Sequence, residues 1–477
     1  MRNSIALSLT VLLFAAPLTQ GRQGETGAKS KPVDMSKPLD LNDCIALALN
    51  ESPLLEASRL DVASAAEEAR AARAQTLPDL TATANGQIFS GSPTGRFSIV
   101  NVGDTGIGVV PTPTPRPGQS SRPPRDTSRF VNLGTVEAYS AQLNYPLFKD
   151  GSILGLNTAP AEAGKLARRR NLAWTSKLRR EDVIARITDA FITTVSAENR
   201  SGFAERRVAL LQEQVSITEE QQKQGLTLPI DLKLARSQLN GAQTLSTILR
   251  QQAVAGKIEL ARALGFDSAN ELRLTNDLPE PPPPPRAEDI LSSTNLSKHP
   301  SLEVQKAVID QAQQDYRLER FRLYPSVNLR GSAVHIDDFG SNGAEVYSGS
   351  VAVDVPIFDF GAQQSTTRAK LAKYQAERAR LGSVTDDVTF EIVTIYQSIY
   401  VLSQNILSLQ QEVAKADRDF QVTGSQQQQG IATPLTAIEK ELHLIAKRDD
   451  LDGLQVRRLM LYAALQKASG GSWKWFQ

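Results

Sequence analysis

The chain has 477 residues, and its 53 lysines and arginines nearly balance its 52 aspartates and glutamates. Nucleic-acid binding domains concentrate basic charge, so this balance gives no reason to expect a nucleic-acid partner. The single cysteine, Cys44, excludes an intrachain disulfide, and we expect it to be a small buried hydrophobe. The length would ordinarily indicate about three domains.

The N-terminus has the pattern of a secretory signal peptide. Arg2 precedes an apolar stretch from Ile5 to Ala16, and polar, glycine-containing sequence follows Pro17. We therefore expect a signal peptide at residues 1–22 and a linker at 23–38. Beyond them we expect no apolar stretch that reaches the roughly 18 residues of a transmembrane helix, so that any membrane crossing is made by strands.

The rest of the chain is duplicated, which overrides the length estimate. Pro53 and Pro78 recur 247 positions later as Pro300 and Pro325. Residues 145–151 recur 210 positions later, and residues 221–229 recur 205 positions later. We expect two repeats of one architecture. The predicted division is a first repeat at 39–265, a Pro-rich connector at 266–286, a second repeat at 287–470 and a tail at 471–477.

Each repeat contains two stretches that alternate between apolar and polar residues, at about 79–90 and 133–148 and at about 326–336 and 347–358. In one of them Tyr139 and Leu143 share a face opposite Ser140 and Gln142. This pattern is typical of outer-membrane strands, whose polar side lines a wet lumen. A soluble sandwich strand would show the same alternation, but a single hairpin per repeat leaves no second sheet to bury the apolar face.

The first repeat carries an insertion of 37 residues (247 − 210) between its two strands, around residues 91–130. Its Pro-rich centre, residues 111–125, cannot donate a ladder of hydrogen bonds and is expected to be an irregular or extended loop. Long loops of outer-membrane strands face outside the cell. We therefore expect an external loop at about 91–130, whose Pro-rich stretch lacks strand patterning.

A helical pattern of unusual length follows in each repeat. Running from about Gly151 to Gly225, or from Gly361 to Gly430, such a helix would have roughly 65 residues and a length of about 100 Å. Its apolar positions recur every 3.5 residues, as in a coiled-coil seam. This heptad seam comprises Val388, Ile392, Ile395, Ile399, Leu402, Ile406, Leu409, Val413, Ala416 and Phe420, and its first-repeat counterparts lie 205 positions earlier.

These landmarks resemble the TolC-type outer-membrane efflux protein family from about Leu39 to Gly470. The resemblance is carried by the opening segment 39–53, the helix-to-strand prolines Pro78 and Pro325, the strand-to-helix motifs at 146–151 and 356–361, and the turns at Gly225 and Gly430. It implies a mainly α-helical fold with membrane β-strands, built from a duplicated helix-strand-strand-helix unit. Four strands cannot close a membrane barrel, so several chains must combine. Two, three or four would do, and the resemblance implies a homotrimer with a twelve-stranded β-barrel and a coiled-coil-like helical tunnel.

The resemblance also implies a passive conduit in the outer membrane with a periplasmic extension. Its partners would be outer-membrane lipid, a periplasmic adaptor protein, and an inner-membrane pump or transporter of a tripartite efflux or type I secretion system. No cofactor is implied. The adaptor would bind the tip of the tunnel, formed by two turns that contain Gly225, Leu226, Thr227, Pro229, Gly430, Ile431, Ala432 and Pro434.

In some relatives, a basic residue and two acidic residues after the turn glycine close the tunnel. The corresponding constriction positions here are Asp231, Thr436 and Glu439, and in the second repeat only Glu439 matches those relatives. A salt-bridge lock of that kind is therefore not expected. Asp231 and Glu439 are equally well explained as acidic residues at helix starts, where they stabilise the helix dipole.

Three alternatives have less support. An enzyme is disfavoured because His299, His335 and His443 fall in separate elements without paired metal-ligand residues, so we expect neither catalytic residues nor a metal site. A periplasmic coiled-coil adaptor or structural protein would not need four two-faced strands. A general porin would not devote most of its length to helices.

Overall fold

The computed structural model describes residues 38–88, 97–101, 107–111, 135–266, 272–275, 278–280, 283, 286–292, 296–337 and 344–475. The expected signal peptide, nearly all of the expected linker and most of the Pro-rich loop lie outside these described residues. The division into repeats, connector and tail stays a prediction.

The contacts divide the chain into two compact units. The first comprises Met1–Asp61, Leu172–Gln305 and Leu381–Gln477, and the second Val62–Asn171 and Lys306–Arg380. Each unit takes segments from both predicted repeats. Neither compact unit therefore coincides with one predicted repeat.

The elements of the first half are α1 (Leu41–Glu51), α2 (Pro53–Ala74), β1 (Asp79–Ile88), β2 (Phe97–Asn101), β3 (Ile107–Pro111), β4 (Thr135–Lys149), β5 (Ser152–Ile153), α3 (Pro160–Lys223) and α4 (Pro229–Leu264). Those of the second half are α5 (Ala287–Ile290), α6 (Pro300–Phe321), β6 (Ser326–Asp337), β7 (Ala344–Asp354), α7 (Ala362–Gln428) and α8 (Pro434–Ala468).

Helix α1 begins with a reciprocal cap. The Asp43 N–H donates to the Asp40 carboxylate at 2.7 Å, and the Asp40 N–H donates to the Asp43 carboxylate at 3.4 Å. The helix ends before Pro53, which has no N–H to donate and instead starts α2. Cys44 on α1 is completely buried, and burial, reinforced by Asp40 and Asp43, raises the pKa of its thiol to about 12.

The long helices and their seam are confirmed. Helices α3 and α7 have 64 and 67 residues. Every position of the heptad seam, in both copies, is buried or half-buried. In the first unit the seam joins a core that includes the fully buried Phe191, Ile192, Ile399, Leu459 and Leu465. Burial of this apolar surface is the main stabilising term for such a helix assembly.

Polar pairs in the first unit establish which helices are neighbours. As the residue number rises along α3, the number of its partner falls along both α4 and α8, so α3 is antiparallel to each of them. Helices α7 and α8 are also paired. These contacts are Glu198–Lys257, Glu205–Arg250 and Glu219–Arg236 for α3 with α4; Ser196–Asp452, Arg200–Asp449 and Arg206–Glu441 for α3 with α8; and Glu412–Lys447 and Asp417–Arg448 for α7 with α8.

The second unit contains an antiparallel sheet with strand order β1-β4-β6-β7, to which β5 adds a short pairing with β4. Leu80 lies opposite Leu143, and Val327 lies opposite Val353. Val327 is 247 positions after Leu80, and Val353 is 210 positions after Leu143. The two repeats therefore use the same hairpin register.

The structure adds to one prediction about strands and corrects another. The insertion is not entirely loop, since β2 and β3 form an antiparallel hairpin within it. Its runs of Val and Ile favour strand structure beside the Pro-rich part. The second stretch of the second repeat ends at Asp354 rather than near 358, because Pro356 cannot donate a ladder hydrogen bond. In the first repeat, β4 passes Pro146 through a register shift and continues to Lys149.

The expectation that no stretch is apolar enough to cross a membrane is contradicted by the length and composition of one helix. Helix α7 is long enough to cross a membrane and contains an 18-residue stretch that is apolar enough and has few enough charged side chains to do so. Of that stretch, 22% is buried. Residues 392–411 contain no charged side chain. Composition is weak evidence for a membrane span, because a helix with two apolar faces packed between other helices passes the same test.

His299, just before α6, ties this helix to the end of α8. The Ser301 N–H donates to its Nδ1 at 3.2 Å, so in the neutral ring Nε2 carries the proton and donates to the Ala468 carbonyl at 2.9 Å. Burial lowers the pKa of His299 from 6.5, against the opposing influence of the Ala468 carbonyl and Glu391. Glu181, Asp182 and Lys467 line the same cavity.

We predict that His299 makes the protein less stable in mild acid. A histidine whose folded pKa lies below its unfolded value contributes stability above about pH 6.5, and this contribution is lost as pH falls through the folded pKa. Protonation also opposes the bond from the Ser301 N–H. Thermal unfolding should show a drop in midpoint from pH 7.5 to pH 5.5 that shrinks in His299→Gln. His443→Gln, at an exposed position, should keep the full drop, and an unchanged drop in His299→Gln would contradict the prediction.

Candidate functional site

The turn after α3 has a specific backbone geometry. Gly225 has a φ of 73°, in the left-handed region that favours glycine. Its N–H donates to the Gln222 carbonyl at 3.0 Å, and the Leu226 N–H donates to the Gln221 carbonyl at 2.9 Å. These two bonds are the Schellman ending of a helix, which satisfies carbonyls that have no partner within the helix.

The turn after α7 repeats this geometry. Gly430 also has a φ of 73°. The N–H groups of Gly430 and Ile431 donate to the carbonyls of Gln427 and Gln426 at 3.0 and 2.8 Å. The Ala432 N–H adds a bond to the Gln426 carbonyl at 3.2 Å. The duplication therefore extends to individual hydrogen bonds.

Both turns present apolar side chains to solvent. Leu226 is 73% exposed and Ile431 is 70% exposed. The helices that follow begin at the predicted prolines, Pro229 and Pro434, which suit a first helical position. Thr227 donates its hydroxyl to the Gln221 side chain at 3.3 Å, within the first turn.

Two of the residues predicted for a constriction form hydrogen bonds within their own turns. The Asp231 carboxylate accepts from the Leu228 N–H at 3.2 Å, and the Thr436 N–H donates to the Thr433 hydroxyl at 3.3 Å. Glu439 is exposed. Among the described residues, these hydrogen bonds stay within each turn. This bond supports the interpretation of Asp231 as a helix-start residue, and its role in a constriction stays a prediction.

The sheet of the second unit has one apolar and one polar face. Directly opposite residues of neighbouring strands share a face. Leu80, Leu143, Tyr347 and Val351 lie on the apolar face, and all four are exposed. On the polar face hydroxyls pair across strands, Thr83 with Ser140 at 2.6 Å and Ser332 with Ser348 at 2.7 Å. Both outer strands, β1 and β7, have a free edge in the four-stranded order.

Helix α7 has a second apolar face that the sequence analysis missed. At 100° per residue its members fall within an arc of about 120°, on the side opposite the heptad seam. They are 52–74% exposed, and they are Phe390, Tyr400, Val401, Leu407 and Val422. No other part of the described chain covers this face. A search of the sequence for two apolar stripes on one helix would have found it.

The histidines do not form a reactive centre. His299 lies before α6, His335 lies on β6 with Nδ1 3.7 Å from the Glu345 carboxylate, and His443 lies on α8. Among the residues that the structure describes, no group of three or more His, Cys, Asp or Glu side chains is placed to hold a metal ion. The described residues also present the two turns, the uncovered apolar faces and the free sheet edges.

Comparison with known proteins gives one match to a family. The sequence model of the family described as "Outer membrane efflux protein" matches residues 291–471. The pyoverdine export outer membrane protein OpmQ of Pseudomonas aeruginosa is 28% identical over 235 residues, which cover 48% of each chain. The chain thus spans about half the length of this relative. The probable efflux pump outer membrane protein TtgC of Pseudomonas putida is 21% identical over 371 residues, covering 75% of this chain and 74% of TtgC.

Solved structures extend the likeness in fold. The outer membrane protein VceC of Vibrio cholerae superposes with a TM-score of 0.68 at 18% identity, covering 91% of this chain and 97% of VceC. The outer membrane channel CmeC of Campylobacter jejuni superposes with a TM-score of 0.71 at 14% identity, covering 92% and 87%. Residues 291–471 thus match the outer membrane efflux protein family in sequence, and about nine tenths of the chain shares the fold of these solved outer membrane proteins.

Proposed function

We propose that this chain is the outer-membrane channel of a tripartite efflux system, a passive conduit whose substrates are driven by an inner-membrane transporter through a periplasmic adaptor. Its strands would lie in the outer membrane, and its long helices would extend into the periplasm. The names of the relatives refer to pyoverdine, antibiotics and toluene. This supports efflux of small molecules over secretion of proteins.

The observation that carries the proposal is a sheet whose apolar face is exposed and whose outer edges are free. A soluble protein would cover such a face, whereas lipid is a suitable environment for it. Lipid cannot satisfy the N–H and C=O groups of an open edge. Further copies of the chain can, and the polar face would then line a water-filled lumen. A periplasmic adaptor without a barrel would have no use for this sheet.

The long helices support the same assembly. The exposed apolar face of α7 and a similar one on α4, with Ile230, Leu234, Leu245 and Ile248, need partners within the periplasmic part. Helices of neighbouring copies would cover them. Of the copy numbers that could close the barrel, the resemblance selects three, which gives a homotrimer with twelve strands from three sets of four.

We predict that the protein extracted in mild detergent has the mass of three chains. A charge placed on the apolar face of α7 would be buried at a helix interface, so Val401→Glu should reduce the trimer fraction severalfold. Gln410→Glu, an exposed position off that face, serves as the matched control and should leave the mass unchanged. Native mass spectrometry measures both. A stable monomer of the unmodified protein would overturn the proposed assembly.

We further propose that the two turns bind the adaptor. Each turn displays an exposed apolar residue on a defined backbone. In a trimer six such turns would surround the entrance of the tunnel. This role concerns Gly225, Leu226, Thr227, Pro229, Gly430, Ile431, Ala432 and Pro434, and the constriction proposed for Asp231, Thr436 and Glu439 would lie just behind them.

We predict that Gly430→Val impairs export and adaptor cross-linking. A Cβ at Gly430 would meet no atom within 4 Å, so the effect comes from the positive φ, which costs a residue with a side chain about 1–2 kcal/mol. If the turn must be formed for the adaptor to bind, this corresponds to roughly tenfold weaker binding. Trimer formation should be preserved, because the strand pairing does not involve this turn. Cross-linking yield and efflux in cells measure the effect.

Two variants make this test specific. Asn tolerates the left-handed conformation, so Gly430→Asn should retain most of the binding. Gly424→Val lies six residues away within α7, also in open space and without a positive φ, and should be nearly neutral. Normal export and cross-linking by Gly430→Val at ordinary abundance would mean that the turn only reverses the chain.

A further inference from the structure

The two junctions that lead from a strand to a long helix have the same backbone. Asp150 and Gly151 have φ angles of 53° and 84°, and Phe360 and Gly361 have 54° and 83°. A positive φ at a bulky residue such as Phe360 is a genuine outlier that costs free energy. Such a residue persists where its surroundings hold it in place, and the two junctions have different surroundings within the chain.

The first junction is covered within the chain. A Cβ at Gly151 would lie 2.6 Å from the ring of Phe321, so this ring already fills the space above the junction. Arg322 approaches Asp150, with 3.9 Å between Nε and the carboxylate. Phe148 lies opposite Val327. The cover segment is therefore residues 321–327, from the end of α6 to the start of β6.

The second junction has no such cover. A Cβ at Gly361 would meet no atom within 4 Å. Ile357 is 91% exposed, Phe358 is 75% exposed and Phe360 is 93% exposed. The two Phe rings contact each other, with centroids 4.6 Å apart. Three large apolar side chains thus stand in solvent where the first repeat is packed.

The counterpart of the cover segment lies 247 positions earlier, at residues 74–80. Gly155 lies against Thr76 and Leu77, but much of the segment is uncovered, since Ala74 is exposed, Leu77 is 41% exposed and Leu80 is 71% exposed. Side-chain sizes are exchanged between the repeats. At the first junction the large ring of Phe321 lies over Gly151, beside the small Asp150, whereas the second junction has the large ring of Phe360 beside Gly361 and its counterpart cover has small Ala74. The two uncovered surfaces are therefore complementary in volume.

We infer that Phe360 of one copy packs against Ala74 of the next copy, in the space that Phe321 fills within the chain, and that β7 of the first copy pairs with β1 of the second in the register of β4 with β6. This inference rests on the proposed function and specifies its subunit contact. Leu143 lies opposite Gly331, and Tyr145 lies opposite Leu329. Adding 210 to the residue numbers of β4 and subtracting 247 from those of β6 places Val353 opposite Ala84 of the next copy, and Val355 opposite Ala82.

A second copy fits these surfaces better than lipid does. The free edge of β7 continues directly into the exposed segment 357–360, and the free edge of β1 is continuous with 74–80. One partner would therefore satisfy the backbone groups of the edge and cover the aromatic rings together. Lipid could cover the rings but would leave the N–H and C=O groups of both edges unpaired.

Cysteine pairs test the register. In a Cys44→Ser background, Ala84→Cys combined with Val353→Cys should give disulfide-linked dimers and trimers on mild oxidation of the membrane-embedded protein. Directly opposite residues lie about 4.5–5.5 Å apart, within disulfide range. Ala84→Cys combined with Gly349→Cys, displaced by four residues or about 13 Å along the same face, is the control and should stay unlinked. Each single cysteine variant should stay unlinked as well.

The exchange of volume is tested separately. Ala74→Phe and Phe360→Ala should each lower the temperature at which trimers dissociate in detergent, one by overpacking and the other by leaving a cavity. The double variant should recover most of the loss, because the ring returns to the same space from the other side. Arg73→Ala, an exposed position on α2 just before the segment 74–80, is the matched control and should have a small effect.

The outcomes separate this inference from the proposed function. If the protein is a trimer by mass but only the displaced cysteine pair forms a disulfide, the inferred contact is overturned and the proposed channel is retained. The same holds if the effects of Ala74→Phe and Phe360→Ala on the dissociation temperature simply add. If the Phe360 ring faced lipid, the effects of the two substitutions would also add, and each variant would dissociate near the temperature of the unmodified protein. A monomer by mass overturns both proposals.

Discussion

The hydrogen-bond ladder of the four-stranded sheet is the constraint on which the rest of the structure depends. Its apolar face suits lipid, but its two outer strands bring unpaired backbone groups that lipid cannot satisfy. In the proposed channel, a chain with this sheet must therefore associate with others. The second apolar face of α7 meets the same requirement in the helical part, because it too needs a partner outside the chain. Strands and helices thus make association necessary for different physical reasons.

The features that the sequence predicted correctly are those fixed by periodicity and duplication. The seam from Val388 to Phe420 is visible because apolar residues recur every 3.5 positions, and its burial follows from that spacing alone. The glycine turns were found because Gly225 and Gly430 recur with their surroundings. The alternation around Tyr139 gave the correct faces of β4 because side chains alternate strictly along a strand.

The features that the sequence did not predict depend on tertiary context. The hairpin of β2 and β3 was hidden by the prolines beside it, and the end of β7 at Asp354 reflects Pro356 after a strand that has a neighbour on one side only. The capping bond of Asp231 cannot be distinguished from a lumen-facing role without coordinates. The left-handed backbone of Phe360 was also invisible, because aspartate occupies the same conformation in the first repeat and sequence offers no reason for a ring there.

The burial of Cys44 has a consequence for how the chain matures. An exported chain passes through an oxidising compartment, where an accessible thiol can form a disulfide with another chain. Since this protein has one thiol, any such bond would join two molecules. Docking of α1 buries the sulfur and raises the pKa of the thiol to about 12, which removes the reactive thiolate. Covalent cross-linking between copies is therefore confined to the interval before α1 docks, and folding itself ends the hazard.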